Sequence, residues 1–185
     1  MKILHCEREL GSLSKDMPVT LLADSSMSRN HRPLFLPPHR DRWVMTFAPA
    51  VRVSRLGKFV APRFARRYYD AMAIVARLRP ADPVRLPASA IDTAFDSSVV
   101  VGDWLDIQAD SGPRLCLSLD GKVCGDITLD LDVVDDTLAW LSSYFMIKHG
   151  DVIVPGDIPG NFQVGIDDMI KVTVNNMDCL DFKIK

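Results

Sequence analysis

Glutamate is nearly absent from this chain. Of its 24 acidic residues, only Glu7 and Glu9 are glutamates, both near the N-terminus, so a mechanism needing a glutamate within residues 10–185 is excluded. Cysteine is also scarce: Cys6, Cys116, Cys124 and Cys179 form no C-x-x-C pair and have no histidines at zinc-finger spacing. That excludes a zinc finger and a disulfide scaffold, and reduced thiols in a cytoplasmic protein are expected. No apolar run approaches the ~20 residues of a bilayer span, and Met1–Leu4 leads into charge rather than a signal-peptide core, so no membrane partner is expected. Repeats and low-complexity linkers are lacking too. A single domain over residues 1–185 is therefore expected, and 48% hydrophobic residues suffice for its core.

What is present is a divided charge. Residues 29–85 carry twelve arginines and one lysine against three aspartates, a balance of +10. Residues 86–185 carry six basic residues against seventeen aspartates, a balance of −11. Clustered arginines beside Phe64, Tyr68 and Tyr69 suit nucleic acid, but the acidic excess in the same chain offers internal partners. No nucleic-acid partner is expected.

Short extended stretches punctuated by proline and glycine dominate. Strands are predicted at Lys2–His5, Val19–Ala23, Pro33–Leu36, Trp43–Ser54, Val99–Gly102, Asp151–Val154, Met169–Val174 and Leu180–Ile184. Asp120-Gly121, between Arg114–Leu119 and Lys122–Gly125, supplies the two positive φ angles of a type I′ turn and predicts a hairpin. Helices are predicted over Ala61–Tyr69 and Val133–Phe145, the second with Val134, Leu138, Leu141 and Phe145 on one side.

Several stretches resemble a known family. Arg55-Leu56-Gly57-Lys58, Arg63-Phe64-Ala65, Arg67-Tyr68-Tyr69-Asp70 and Ala94-Phe95-Asp96, followed by Gly150-Asp151-Val152-Ile153, Gly156, Gly160 and the ending Leu180–Lys185, resemble in order and spacing the small bacterial fumarylacetoacetate hydrolase family. The resemblance implies a mainly β (α+β) fold, a mixed β-sheet roll with a few short helices, commonly dimeric. It also implies hydrolysis, decarboxylation or isomerisation of acylpyruvate-like 2-oxo acids at a Mg²⁺ or Mn²⁺ ion. The ion is held by two glutamates at i and i+2 of one strand, a spacing that puts both on one face, and by an aspartate on a neighbouring strand.

Carried onto this sequence, the two glutamates fall at Thr46 and Ala48, the aspartate at Arg77, the active-site lysine at Thr93, and the threonine of a substrate-binding turn at Asp157. The Asn-Tyr pair and histidine implied near the N-terminus are absent from Cys6–Asp16. No metal or other cofactor and no catalytic residue is expected, and the chain reads as a non-catalytic binding or interaction homologue. It would assemble with itself or with an active relative. The alternative is a hydrolase, decarboxylase or isomerase of acylpyruvate-like acids using a rearranged site. Arg77, Arg79 and Asp157 are the candidate residues for a small carboxylate ligand, since a guanidinium pairs with a carboxylate through two parallel hydrogen bonds. The plainer reading of Arg77 and Arg79, and the preferred one, is a pair on a solvated strand face or at a dimer interface. Asp82, Asp92, Asp96 and Asp157 are a weaker candidate for a replacement ion site, and His5, His31, His39 and His149 sit in no legible nucleophile–base arrangement.

Overall fold

The computed structural model describes residues 1–11, 17–82, 90–107 and 112–185. Its strands are β1 Ile3–Cys6, β2 Val19–Leu22, β3 Met27–Arg29, β4 Trp43–Val53, β5 Tyr69–Pro80, β6 Val99–Val101, β7 Leu105–Asp106, β8 Arg114–Leu119, β9 Lys122–Thr128, β10 Val152–Val154, β11 Phe162–Val164, β12 Met169–Val174 and β13 Met177–Lys183. The helices are α1 Pro62–Ala65, α2 Ala90–Thr93 and α3 Leu131–Tyr144. The expected mainly β fold with few short helices is what forms.

β4 and β5 are the spine of the larger sheet. Both are nearly continuous apolar runs, the composition of strands buried on two faces, and they pair antiparallel from Trp43↔Pro80 to Val53↔Tyr69. The sheet runs β2-β1-β10-β4-β5-β6-β3, with β11 also on β4 and β7 on β5. Its edge strands β2 and β3 are joined by a short 3₁₀ turn at Asp24–Ser26, and the sheet curls. Alternation then divides the side chains. Met45, Phe47 and Val51 of β4 enter the main core, while Ala48 and Ala50 join Ile3, Leu22, Val75, Val99, Val152 and Val154 in a small cluster inside the curl. Small alanines leave the narrow interior room for branched neighbours.

The second sheet, β13-β12-β8-β9, packs on the main core together with α3. The β8–β9 hairpin turns at Asp120 (φ 47°) and Gly121 (φ 75°), as its sequence predicts. The Asp130 carboxylate accepts the Asp132 N–H at 3.0 Å and so caps the start of α3, whose Val134, Leu138 and Leu141 are buried. No helix among the described residues is long and apolar enough to cross a membrane.

Two predicted elements differ. Pro33–Leu36 makes one parallel bridge, Leu34↔Ile184, in which Leu34 N donates to Lys183 O at 2.9 Å and Leu36 N to Lys185 O at 2.8 Å, and Pro38, lacking an N–H, cannot extend it. The helix expected over Ala61–Tyr69 is α-helical only at Pro62–Ala65 and then 3₁₀ to Tyr68. Tyr69 is extended (φ −135°, ψ 150°) and opens β5, its hydroxyl donating to Asp135 Oδ1 at 2.7 Å. Tertiary pairing outweighs the weak helical preference there.

Candidate functional site at one mouth of the curled sheet

The substituted positions converge. Thr46 and Arg77 are direct partners in the β4–β5 ladder, both buried, and Ala48 lies two residues along the same face opposite Val75. Arg77 Nη2 is 3.4 Å from the backbone oxygen of Thr93, at the end of α2. Thus the places that the family resemblance assigns to two glutamates, an aspartate and a lysine share one mouth of the curl. The described part of Cys6–Asp16 borders it, residues 12–16 lying outside the described residues.

Arg77 is 1% exposed, so it is not part of a solvated pair. A buried guanidinium requires a compensating anion. Glu7 supplies it, with Arg77 Nη1 donating to Glu7 Oε1 at 2.6 Å and Thr20 Oγ1 donating to the same oxygen at 2.5 Å. Glu7 Oε2 faces Arg79 Nη1 at 3.8 Å. Burial pushes the Glu7 carboxyl up, but the Arg77 guanidinium, His5 and the two hydrogen bonds outweigh it and hold the carboxyl below its ordinary value. The exclusion of glutamate chemistry holds for residues 10–185 and does not extend to Glu7, which β1 carries into the mouth.

β1 also delivers His5, two residues before Glu7. It pairs parallel with β10, His5 opposite Val154, and the pairing continues past the strand ends as a bridge between Glu9 and Asp157. Backbone bonds from Asp157 N to Arg8 O (2.8 Å) and from Leu10 N to Asp157 O (2.7 Å) fix Asp157 beside the end of β1. His5 Nε2 lies 3.1 Å from Asp157 Oδ1. Both atoms are buried and neither has a hydrogen bond of acceptable geometry, and Thr46 Oγ1 and Arg77 Nε are likewise buried without one. One ligand atom each from His5, Glu7 and Asp157 lies within 4.8 Å of the others, the only such group among the described residues. Asp82 and Asp92 pair instead with Arg42 and Arg40, so the four aspartates proposed as a replacement set do not come together.

Glu7, Thr46, Arg79, Asp157 and Asn161 are among the walls of a cavity of about 240 Å³. Of the residues predicted to bind a carboxylate, Arg79 and Asp157 reach it, with Arg79 Nη2 also donating to Asn161 Oδ1 at 3.3 Å. Arg77 lies behind Glu7. Much of the basic block is paired internally, Arg52 with Asp70 and Arg66 with Asp135.

No protein-family model and no curated protein matches the sequence. Solved structures do match. A fumarylpyruvate hydrolase from Pseudomonas aeruginosa, in complex with Mn²⁺ and pyruvate, superposes with a TM-score of 0.87 at 14% identity over 100% of this chain and 89% of its own. The chain has the fumarylacetoacetate hydrolase fold. The same fold is shared with a 5-carboxymethyl-2-hydroxymuconate delta-isomerase from Mycobacterium smegmatis (TM-score 0.87, 18% identity, 99% of this chain, 78% of that one). It is also shared with a protein from Yersinia pestis described as of the fumarylacetoacetate hydrolase family (TM-score 0.81, 14% identity, 100% and 92%).

One expectation is corrected here. The sequence pointed to no metal cofactor because Thr46, Ala48 and Arg77 cannot ligate an ion as carboxylates do. The His5–Glu7–Asp157 group, whose ligand atoms lie within 4.8 Å of one another, points to a metal instead, and the Pseudomonas protein of the same fold itself carries Mn²⁺. The donors fit: two carboxylates and one imidazole, whose buried Nε2 has no hydrogen bond of its own. The available signal was the spacing His5-x-Glu7, two on a strand. It is the same face rule applied above to the family's glutamates.

Proposed function

We propose that the protein is a binding homologue of the fumarylacetoacetate hydrolase fold that recognises short 2-oxo carboxylates without turning them over. The observation that carries this is the Arg77–Glu7 ion pair, a buried cation where the resemblance implies a ligand aspartate. Arg79 and Asn161 offer the donors for the carboxylate, and His5, Glu7 and Asp157 would hold a divalent ion beside it. Such an ion polarises a keto oxygen when bound. The cavity of about 240 Å³ suits a three- to five-carbon acid. Thr93 supplies no amine where the family has its lysine, and none of residues 10–185 supplies a glutamate base. Assembly with a second copy or with an active relative belongs to this proposal, as does the absence of a nucleic-acid partner.

Isothermal titration with pyruvate, oxaloacetate and an acylpyruvate at low salt, with and without Mn²⁺, tests it. Heat at millimolar ligand or below with no hydrolysis or decarboxylation is expected, and no heat at millimolar ligand overturns it. The ion-donor group favours a second reading, a hydrolase, decarboxylase or isomerase of acylpyruvate-like acids acting through this rearranged site. Turnover in the same assay would establish that reading over the first.

A further inference from the structure

We propose that His5, Glu7 and Asp157 form a displaced transition-metal site, selective for Mn²⁺, Fe²⁺, Co²⁺ or Zn²⁺ over Mg²⁺, and that Arg77 is the residue that displaces it. This deepens the reading above by naming the ion and its ligands, and it does not depend on which carboxylate binds.

Three observations carry it. The first is the donor chemistry. An imidazole nitrogen is a ligand for first-row transition ions, whereas Mg²⁺ prefers oxygen and retains its waters. The second is the state of His5. Its ring is 1% exposed and Nε2 has no hydrogen bond, although Asp157 Oδ1 is only 3.1 Å away. A buried polar atom without a partner is destabilising, and an ion between these two groups would satisfy both. The third is the way Glu7 is used. Arg77 and Thr20 both engage Oε1, leaving Oε2 with Arg79 Nη1 at 3.8 Å. A carboxylate held through one oxygen by neighbouring donors is positioned to ligate through the other, the usual arrangement around metal-binding carboxylates.

The displacement follows from charge. A guanidinium in the β5 position opposite Thr46 repels an ion there, and the Glu7 and Asp157 carboxylates lie instead in the segments that follow β1 and β10. With an ion bound, the walls carry a net positive charge, which attracts an anionic ligand to Arg79.

Thermal unfolding of the full chain, stripped with EDTA and then given MnCl₂, ZnCl₂ or MgCl₂, is the first test. Mn²⁺ and Zn²⁺ at a hundredfold excess over Kd are expected to raise Tm by about 5 °C or more, with little change from Mg²⁺. His5→Gln and Asp157→Asn should each remove the rise. Electron spin-echo modulation of bound Mn²⁺ should show nitrogen coupling in the parent protein and none in His5→Gln. Equal shifts from Mg²⁺ and Mn²⁺, or a shift and nitrogen coupling that survive in His5→Gln, would overturn the site. Loss of carboxylate heat with the metal shifts intact would instead overturn the functional reading and leave the site standing. Should His5→Gln fail to fold, Asp157→Asn with metal content measured by mass spectrometry decides.

Discussion

Arg77 Nη1 and Glu7 Oε1 meet at 2.6 Å across seventy residues of sequence, joining the middle of β5 to the end of β1. Arg77 is buried at 1% exposure, whereas the Glu7 side chain is 23% exposed, so the two partners are unequally dependent. Glu7→Gln leaves a buried guanidinium without its anion, and a loss of about 3–5 kcal/mol is expected, measured by urea unfolding in EDTA. Replacing both, Glu7→Leu with Arg77→Met, removes the uncompensated charge and should cost markedly less than Glu7→Gln alone. A double variant less stable than the single one would show that Arg77 is anchored by something other than Glu7.

Arg79 differs from Arg77 in reaching the cavity. Its side chain is 28% exposed and touches Asn161 Oδ1, so truncation leaves no buried charge. Arg79→Ala should therefore weaken 2-oxo carboxylate binding about tenfold or more while leaving unfolding within about 1 kcal/mol of the parent. Titration calorimetry beside urea unfolding separates the two effects. Unchanged affinity would remove Arg79 from the ligand site.

Much of the fold is legible in the sequence because its strongest elements are local. The apolar run Trp43–Val53, the Asp120-Gly121 turn and the apolar side of α3 each carry a periodicity or a turn requirement that neighbours alone impose. The place of the candidate site is legible in part, since Thr46 and Arg77 fall on strands that pair in register. Its donors are not. His5 and Glu7 reach Asp157 through a parallel pairing of strands about 150 residues apart, and parallel pairing leaves no local turn signal. Residues 10–185 lack glutamate, and the glutamate that enters the mouth, Glu7, follows the first strand directly. Tyr69 shows the opposite failure, a short helical pattern overridden by the ladder that β5 makes with β4.

Gly102 holds the two sheets together by close approach. Its N–H donates to Ile74 O at 2.9 Å, and a Cβ added there would lie 2.5 Å from Cys179 O and 2.9 Å from Ile74 O, both backbone atoms. Backbone cannot rotate aside as a side chain can. Gly102→Ala should destabilise by about 1–3 kcal/mol in urea unfolding, against a few tenths for Gly165→Ala, where a Cβ meets nothing within 4 Å. Equal costs at the two positions would contradict the close contact.

The four cysteines are all free, and their reactivity should follow burial. Burial pushes the Cys6 thiol up to about 12 and the Cys179 thiol up to about 11, in each case by penalising the thiolate. The thiolate is the nucleophile, so at pH 8 both remain neutral and shielded. Cys124 is exposed, and although partial burial raises its thiol too, reagent can reach it. Iodoacetamide at pH 8 should therefore alkylate Cys124 first in the native protein, with Cys6 and Cys179 modified only after denaturation, as read by peptide mass spectrometry. The sign for Cys179 is fixed by its raised value. Native labelling of it should stay slow as pH rises from 7 to 9 and accelerate only near pH 11. Rapid modification of Cys179 at pH 8 would mean that the contact of β13 with Gly102 and Ile74 opens in solution.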